Sequence, residues 1–325
     1  MNTVWALILL LAGLAILCKC ADYLVGGAVG LARRLGISPL VIGLTIVAMG
    51  TSAPEVAASI ASVFQPAGGD IALGNVYGSN IANLALVGGL AALISPLIVK
   101  PSLLRREIPV MLAVAFLLWP VLHNLDLARV EALLLLLVFT GLLLLLVYSA
   151  RKKGLAPARA EQIQHEVAKI EKPRSLAIDS LLIAIGLIGL AAGAKMSVAG
   201  AVFIGRRIGL SEAVIGLTII AVGTSLPELA TSIMAVIRKQ HDISIGNLVG
   251  SNIFNTLLVT GAAGTIHPFE ISHRLVGTDY WIMIVVSLAF AAIPIFARGR
   301  ISRLSGAVLL GAYIAYITYL FTAGA

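Results

Sequence analysis

Two six-residue stretches, Gly50-Thr51-Ser52-Ala53-Pro54-Glu55 and Gly223-Thr224-Ser225-Leu226-Pro227-Glu228, set hydroxyls, a proline and a carboxylate inside long apolar runs. Downstream of each, a second stretch (74–89 and 246–261) adds Ser79 and Asn83, and Ser251 and Asn255. Within each set the residues stand four apart, as do Thr51 and Glu55, and Thr224 and Glu228, so each pair shares a helical face. Pro54 has no N–H for the carbonyl of Gly50, and its ring clashes there; Pro227 does the same to Gly223. Backbone oxygen freed in an apolar setting is tolerated only where protein, water or an ion satisfies it. Every side chain named offers oxygen and none offers sulfur or imidazole. Carboxylate, carbonyl and hydroxyl oxygens are ligands for hard cations such as Ca²⁺ and Na⁺. A carboxylate at the bilayer centre costs about 2.5–3.5 kcal/mol on insertion scales. A divalent cation between Glu55 and Glu228 would balance both charges; without it, protonation or sodium must.

Other readings compete at single positions. The hydroxyls of Thr51, Thr224, Ser52, Ser225, Ser79 and Ser251 could serve helix packing alone. Gly74, Gly78, Gly246 and Gly250 read better as close helix contacts than as ligands, since small residues let membrane helices approach. Asn75, Asn247, Asn80 and Asn252 stand open between ligand and interhelical hydrogen-bond partner.

The elements that must position these residues are membrane helices. Of 325 residues, 59% are hydrophobic and 12% charged, roughly half the charged share of a soluble domain. The net charge of +8 does not point to nucleic acid, because the basic residues sit in short clusters between apolar runs, where they orient helices. Cys18 and Cys20 make neither a disulfide framework nor a metal signature. The N-terminal apolar run lacks a basic leader and a cleavage site and reads as a retained helix. A bilayer core needs about 20 apolar residues per helix. Ten spans are predicted, at 3–31, 38–65, 70–97, 107–122, 130–148, 176–204, 212–237, 243–266, 279–297 and 304–322, with 149–175 as a long polar loop.

The halves repeat. "GLTIVAMGTSAPE" at 43–55 meets "GLTIIAVGTSLPE" at 216–228 with ten of thirteen positions identical, and 74–89 meets 246–261 with ten of sixteen. The offset is 173 residues before the segment between the motifs and 172 after it. The predicted fold is therefore an all-α integral membrane protein of ten transmembrane helices in two five-helix repeats, 1–148 and 176–325, joined by the linker 149–175. Five is odd, so the second repeat enters the membrane inverted. With both termini outside, 17 of the 23 lysines and arginines fall on the inner side and 5 on the outer, with Lys19 inside the first span. That bias predicts a cytoplasmic linker. Arg206 and Arg207 break the rule, being the duplicates of Arg33 and Arg34. Asp22 and Lys195 occupy equivalent positions, each eleven residues before its arginine pair. They either pair between the first and sixth helices or stand as two separate polar residues.

Inverted repeats with interrupted helices point to a transport site near the midplane. At these residues the sequence resembles the cation/calcium exchanger superfamily, and most closely the prokaryotic sodium/calcium exchangers, whose paired alpha repeats look like 43–89 and 216–261. The resemblance implies a core of the second, third, seventh and eighth helices, with the first and sixth sliding across it. It implies Ca²⁺ between Glu55 and Glu228, assisted by the backbone carbonyls of Thr51 and Thr224. It implies Na⁺ at these glutamates with Ser52, Ser225, Ser79, Ser251, Asn83, Asn255 and the carbonyls of Ala48 and Ala221. It also implies electrogenic exchange of three Na⁺ per Ca²⁺. No cofactor, a monomer and a place in the cell (inner) membrane are expected. Some relatives carry aspartate where this chain has Asn255. The neutral amide argues against K⁺ co-transport and leaves two central carboxylates for three sodium ions.

The alternative on the same fold is calcium/proton exchange, since glutamates carry protons. An enzyme is not expected. Ser52 and Ser225 lack a buried base, because His123, His165, His241, His267 and His273 all fall in or beside loops. A channel fits two symmetric broken-helix motifs less well than alternating access does.

Overall fold

The computed structural model describes residues 2–152, 175–209, 219 and 221–323. Most of the predicted linker, and the start of the seventh predicted span, lie outside the described residues. Helix α1 (Thr3–Leu35) runs four residues beyond its predicted end. Arg33 and Arg34 sit in its last turn, where cations suit the helix dipole, and Gly36 closes it at φ 64. An interrupted α2 (Pro39–Ser62) and α3 (Gly68–Ile94) follow. Helix α4 (Glu107–Leu122) has 16 residues with Pro120 inside, and α5 spans Arg129–Lys152. The polar residues Ser149–Lys152 thus continue a helix rather than begin the loop.

The second half holds α6 (Leu176–Arg207), a broken α7 (Ala221–Thr224 and Leu226–Ile237), α8 (His241–Ile266), α9 (Leu275–Phe296) and α10 (Arg303–Ala323). Among the described residues, eight helices are long and apolar enough to cross a membrane; α4 and the apolar 12-residue Leu226–Ile237 are shorter.

Burial sorts the helices by role. The most apolar window of α8 is 89% buried and that of α3 72%, against 11% for α5 and 28% for α1 and α6. Helices α3 and α8 are thus the centre. Helix α8 crosses α2 with backbones nearly touching: a Cβ on Gly246 would lie 2.9 Å from Leu40 O, and one on Gly250 2.9 Å from Leu44 O. The matching partners of Gly74 and Gly78 fall largely in the undescribed stretch.

Helices α1 and α6 pack antiparallel along their length through glycines. A Cβ on Gly186 would stand 2.9 Å from Leu24 N, and one on Gly193 2.9 Å from Gly13 O. Gly30 lies against Asp179, whose carboxylate is 3.8 Å from Arg34 Nε. This register corrects the suggested Asp22–Lys195 pair. Cys20 meets Gly189 and Leu24 meets Gly186, so Asp22 faces the neighbourhood of Leu187, about 12 Å along the helix from Lys195 at 1.5 Å per residue. Matching distances from arginine pairs at opposite helix ends do not give matching depth. Asp22 instead pairs with Arg238 at 2.6 Å, and Lys195 is exposed.

Two short antiparallel strand pairs stitch the halves. β1 (Leu97–Ile98) pairs with β4 (Arg300–Ile301), and β2 (Asp126–Leu127) with β3 (Phe269–Glu270). Lys100 and Asp242 form an ion pair near the first, while Asp70 accepts from Ser272 N–H at 2.8 Å near the second.

Candidate functional site

The two proline motifs break their helices at matching points. In α2 a π-helical stretch, Gly43–Val47, leads into the turn Ala48–Thr51; Ser52 (φ −82, ψ 3) interrupts it, and a new helix starts at Ala53. In α7 the turn Ala221–Thr224 is interrupted at Ser225 (φ −88, ψ 7), and the helix resumes at Leu226. Pro54 and Pro227 sit in the first turn of the resumed helices, where a missing N–H leaves nothing unpaired. Glu55 and Glu228 occupy the same first turns, where the helix dipole favours a carboxylate. The preceding turns end with carbonyls directed the other way, the end that favours cations. Wider turns recur in the partner helices. Asn83 lies in the π-helical Ala82–Val87 and Asn255 opens the π-helical Asn255–Val259, a distortion common at functional sites.

The breaks meet. Ser52 Oγ donates to Glu228 Oε1 at 3.0 Å, and the hydroxyls of Thr51 and Ser251 stand beside the same carboxylate, the latter outside hydrogen-bond geometry. Glu55 lies within electrostatic reach of Glu228, and both are fully buried. Thr51, Ser52, Ser225, Ser79, Ser251, Asn83 and Asn255 are all buried, while Thr224 is half-buried. The structure brings Thr51, Ser52, Ser251 and the two glutamates together directly, and the wide turns that carry Asn83 and Asn255 pack against the resumed helices of α7 and α2.

Few of their polar atoms have protein partners. Both carboxylate oxygens of Glu55, Glu228 Oε2, the hydroxyls of Ser79, Ser225 and Ser251, and both amide atoms of Asn83 and Asn255 are buried without a hydrogen bond. Native structures leave such groups unpaired only with a reason. Oxygens that converge with few internal partners are what a hard cation requires. Among the described residues no cluster of three or more His, Cys, Asp and Glu side chains occurs, so the donor set is two carboxylates with neutral oxygens.

The carbonyl of Ala48 accepts from Ser52 N at 3.0 Å and Thr51 Oγ1 at 3.3 Å. In the second half Ser225 N donates to Val222 O at 3.1 Å.

Asn75 and Asn247, open between two roles in the sequence, are hydrogen-bonded braces. Asn75 Nδ2 donates to Ser59 Oγ at 2.9 Å and Glu55 O at 3.3 Å. Asn247 Nδ2 donates to Ser232 Oγ at 3.1 Å and Glu228 O at 3.5 Å. Asn247 Oδ1 also accepts from Thr51 Oγ1 at 3.1 Å, joining the halves a second time. Asn80 donates to Thr256 Oγ1 at 3.0 Å, and Asn252 to Leu248 O at 2.8 Å. Ser59 and Ser232 were missed by sequence reasoning, though their 173-residue spacing is that of the motifs. A separate cavity of about 200 Å³ between α2, α4, α5 and α8 is lined mainly by Leu44, Val110, Phe139, Leu142, Leu146 and Phe254. It borders none of the gathered side chains.

Comparison with known proteins gives concordant results. The chain matches the family described as "Sodium/calcium exchanger protein" over residues 5–148 and 179–322. It is 38% identical to "Inner membrane protein YrbG" of Escherichia coli (strain K12), covering 96% of each chain. It is 35% identical to "Sodium/calcium exchanger MaX1" of Methanosarcina acetivorans, covering 99% of each. A solved structure of the sodium-calcium exchanger NCX_Mj, soaked with Na⁺ and Ca²⁺, superposes with TM-score 0.80 at 30% identity, covering 97% of this chain and 98% of that one.

Proposed function

The chain belongs to the sodium/calcium exchanger protein family, and from that premise we propose that it exchanges Na⁺ for Ca²⁺ by alternating access at one shared site between Glu55 and Glu228. The observation that carries this reading is the meeting of the two breaks at the Ser52–Glu228 hydrogen bond, amid buried oxygens with few protein partners. Ca²⁺ sits between the two carboxylates and cancels both charges, with the carbonyls of Thr51 and Thr224 assisting. Na⁺ ions use the same glutamates with Ser52, Ser225, Ser79, Ser251, Asn83, Asn255 and the carbonyls of Ala48 and Ala221. At Ala48 an ion takes the place of the Thr51 hydroxyl. Once Ca²⁺ has neutralised the carboxylates, added Na⁺ would be uncompensated charge in a low-dielectric site. The two loads therefore exclude one another, which couples their fluxes. Three Na⁺ against one Ca²⁺ moves one net charge per cycle.

The proposed architecture is ten spans in two inverted repeats, 1–148 and 176–325, with linker 149–175 cytoplasmic and both termini outside the cell membrane. Two features support inversion: α1 and α6 are antiparallel, and each strand pair joins one half to the other; the matched stretches 5–148 and 179–322 support the repeat itself. The protein acts as a monomer.

The test is calcium uptake into proteoliposomes. Uptake should follow an imposed sodium gradient, generate a membrane potential, and disappear in Glu55→Gln and Glu228→Gln proteins that still purify folded. Uptake that follows a proton gradient and ignores sodium would replace this reading with calcium/proton exchange.

A further inference from the structure

The two halves repeat in sequence, yet their surfaces are covered differently. On the second half of α7, Leu226, Ala230 and Met234 pack under α1 against the cluster of Leu24, Val25, Ala28 and Val29, and Thr231 is fully buried. The matching face of α2, 173 residues earlier, is Ala53, Ala57, Ala58 and Ala61, and all four are exposed. Of the α6 residues that match the α1 cluster, Ser197 is buried against Gly13 of α1, while Val198, Ala201 and Val202 are only half-buried, whereas Val25 and Ala28 are fully buried. One side of the site is therefore sealed by α1 on α7, while its mirror, α6 on α2, touches at Gly50, where Leu187 packs, and leaves the face beyond Ser52 bare.

Among the described residues, an ion pair between a sliding helix and the core marks the sealed side and not its mirror. Arg238 Nη2 and Nε each stand 2.6 Å from Asp22 Oδ1, and both side chains are 27% exposed. The pair ties α1, on the sliding pair, to α7, in the core. The Arg34–Asp179 pair, by contrast, joins α1 to α6 and travels with them. Repeat symmetry names the counterparts of the first pair. Asp22 corresponds to Lys195, and Arg238 to Gln65, which is followed by Pro66. Lys195 and Gln65 are both exposed. When α6 closes on α2, a lysine meets an amide, and no charge pair forms.

We propose that Asp22–Arg238 is a one-sided latch that biases the transporter toward the state sealed beneath α1 and open beside Ala57 and Ala58. The proposal rests on the alternating-access reading above. The occupant of the bare alanine face is the Val198–Ala201–Val202 face of α6, as its counterpart on α7 is already covered by the matching residues of α1. A partly exposed ion pair contributes a modest free energy, so the bias is about two- to fivefold in population. A bias of that size leaves both states accessible, as a carrier requires.

The test uses the full chain with Cys18 and Cys20 replaced by serine and a single cysteine introduced by Ala58→Cys or by Ala230→Cys. The readout is the ratio of maleimide labelling rates at 58 and 230 without transported ions. Position 58 should label faster. Arg238→Gln or Asp22→Asn should lower the ratio two- to fivefold, and the swap Asp22→Arg with Arg238→Asp should restore it. Gln65→Glu removes no ion pair but supplies Lys195 with a partner in the opposite state, so it should lower the ratio too. An unchanged ratio in Arg238→Gln and Gln65→Glu, or a swap that stays at the single-variant value, overturns the latch. The ratio does not depend on which ions are carried. Loss of sodium-driven uptake would sink the exchange reading alone, and an unchanged ratio with intact uptake would sink the latch alone.

Discussion

Ser52 begins the sequence Ser-Ala-Pro-Glu, the pattern of a capping box, in which the hydroxyl would bond its own helix. It makes no such bond and donates instead to Glu228, 176 residues away. Ser225, its counterpart, has a buried hydroxyl with no partner. A hydrogen bond to a charged group contributes about 1.5–3 kcal/mol to stability, so Ser52→Ala should lower the melting temperature of the ion-free protein in detergent. Ser225→Ala should lower it less, and thermal unfolding of the two variants compares them directly. The asparagine braces differ likewise. Asn247 holds Ser232, Glu228 O and Thr51, while Asn75 holds Ser59 and Glu55 O. Buried groups left unpaired cost about 1–3 kcal/mol each. Asn247→Leu should therefore lower the melting temperature in detergent more than Asn75→Leu. Residue type and spacing made the two glutamates and their oxygen neighbours legible in the sequence. The partner of Ser52 was not legible, because a local pattern says nothing about a helix end that folding brings from the other half.

At the scale of elements, the breaks were legible because proline forces them, and the long spans because apolar length does. The register of α1 on α6 was not, because glycine contacts set it, and Asp22 consequently met Arg238 rather than Lys195. The two-residue strands carry no sequence signal of their own; they form where closure of the bundle brings loop ends together. The crossing of α2 and α8 depends on the absence of side chains at Gly246 and Gly250. Overpacking a tight contact costs about 1–3 kcal/mol. Gly250→Leu should therefore lower the melting temperature and abolish uptake, by pushing α2 away from Ser251 and Asn255. A Gly250→Leu protein with wild-type melting and uptake would show that the crossing tolerates side chains.

For the whole molecule, the proposed inverted arrangement makes a mirror prediction. Cysteines introduced by Asn124→Cys and Arg298→Cys, both at exposed loop positions, should react with an impermeant reagent from opposite sides of the membrane, outside for the first and inside for the second. Beneath topology lies the claim that residues from both halves build one binding site. Equilibrium binding of radioactive Ca²⁺ to the purified protein at low sodium tests it most directly. One Ca²⁺ per chain, displaced by Na⁺ and lost in both Glu55→Gln and Glu228→Gln, is the predicted result. Two independent sites, each surviving loss of the other glutamate, would contradict it.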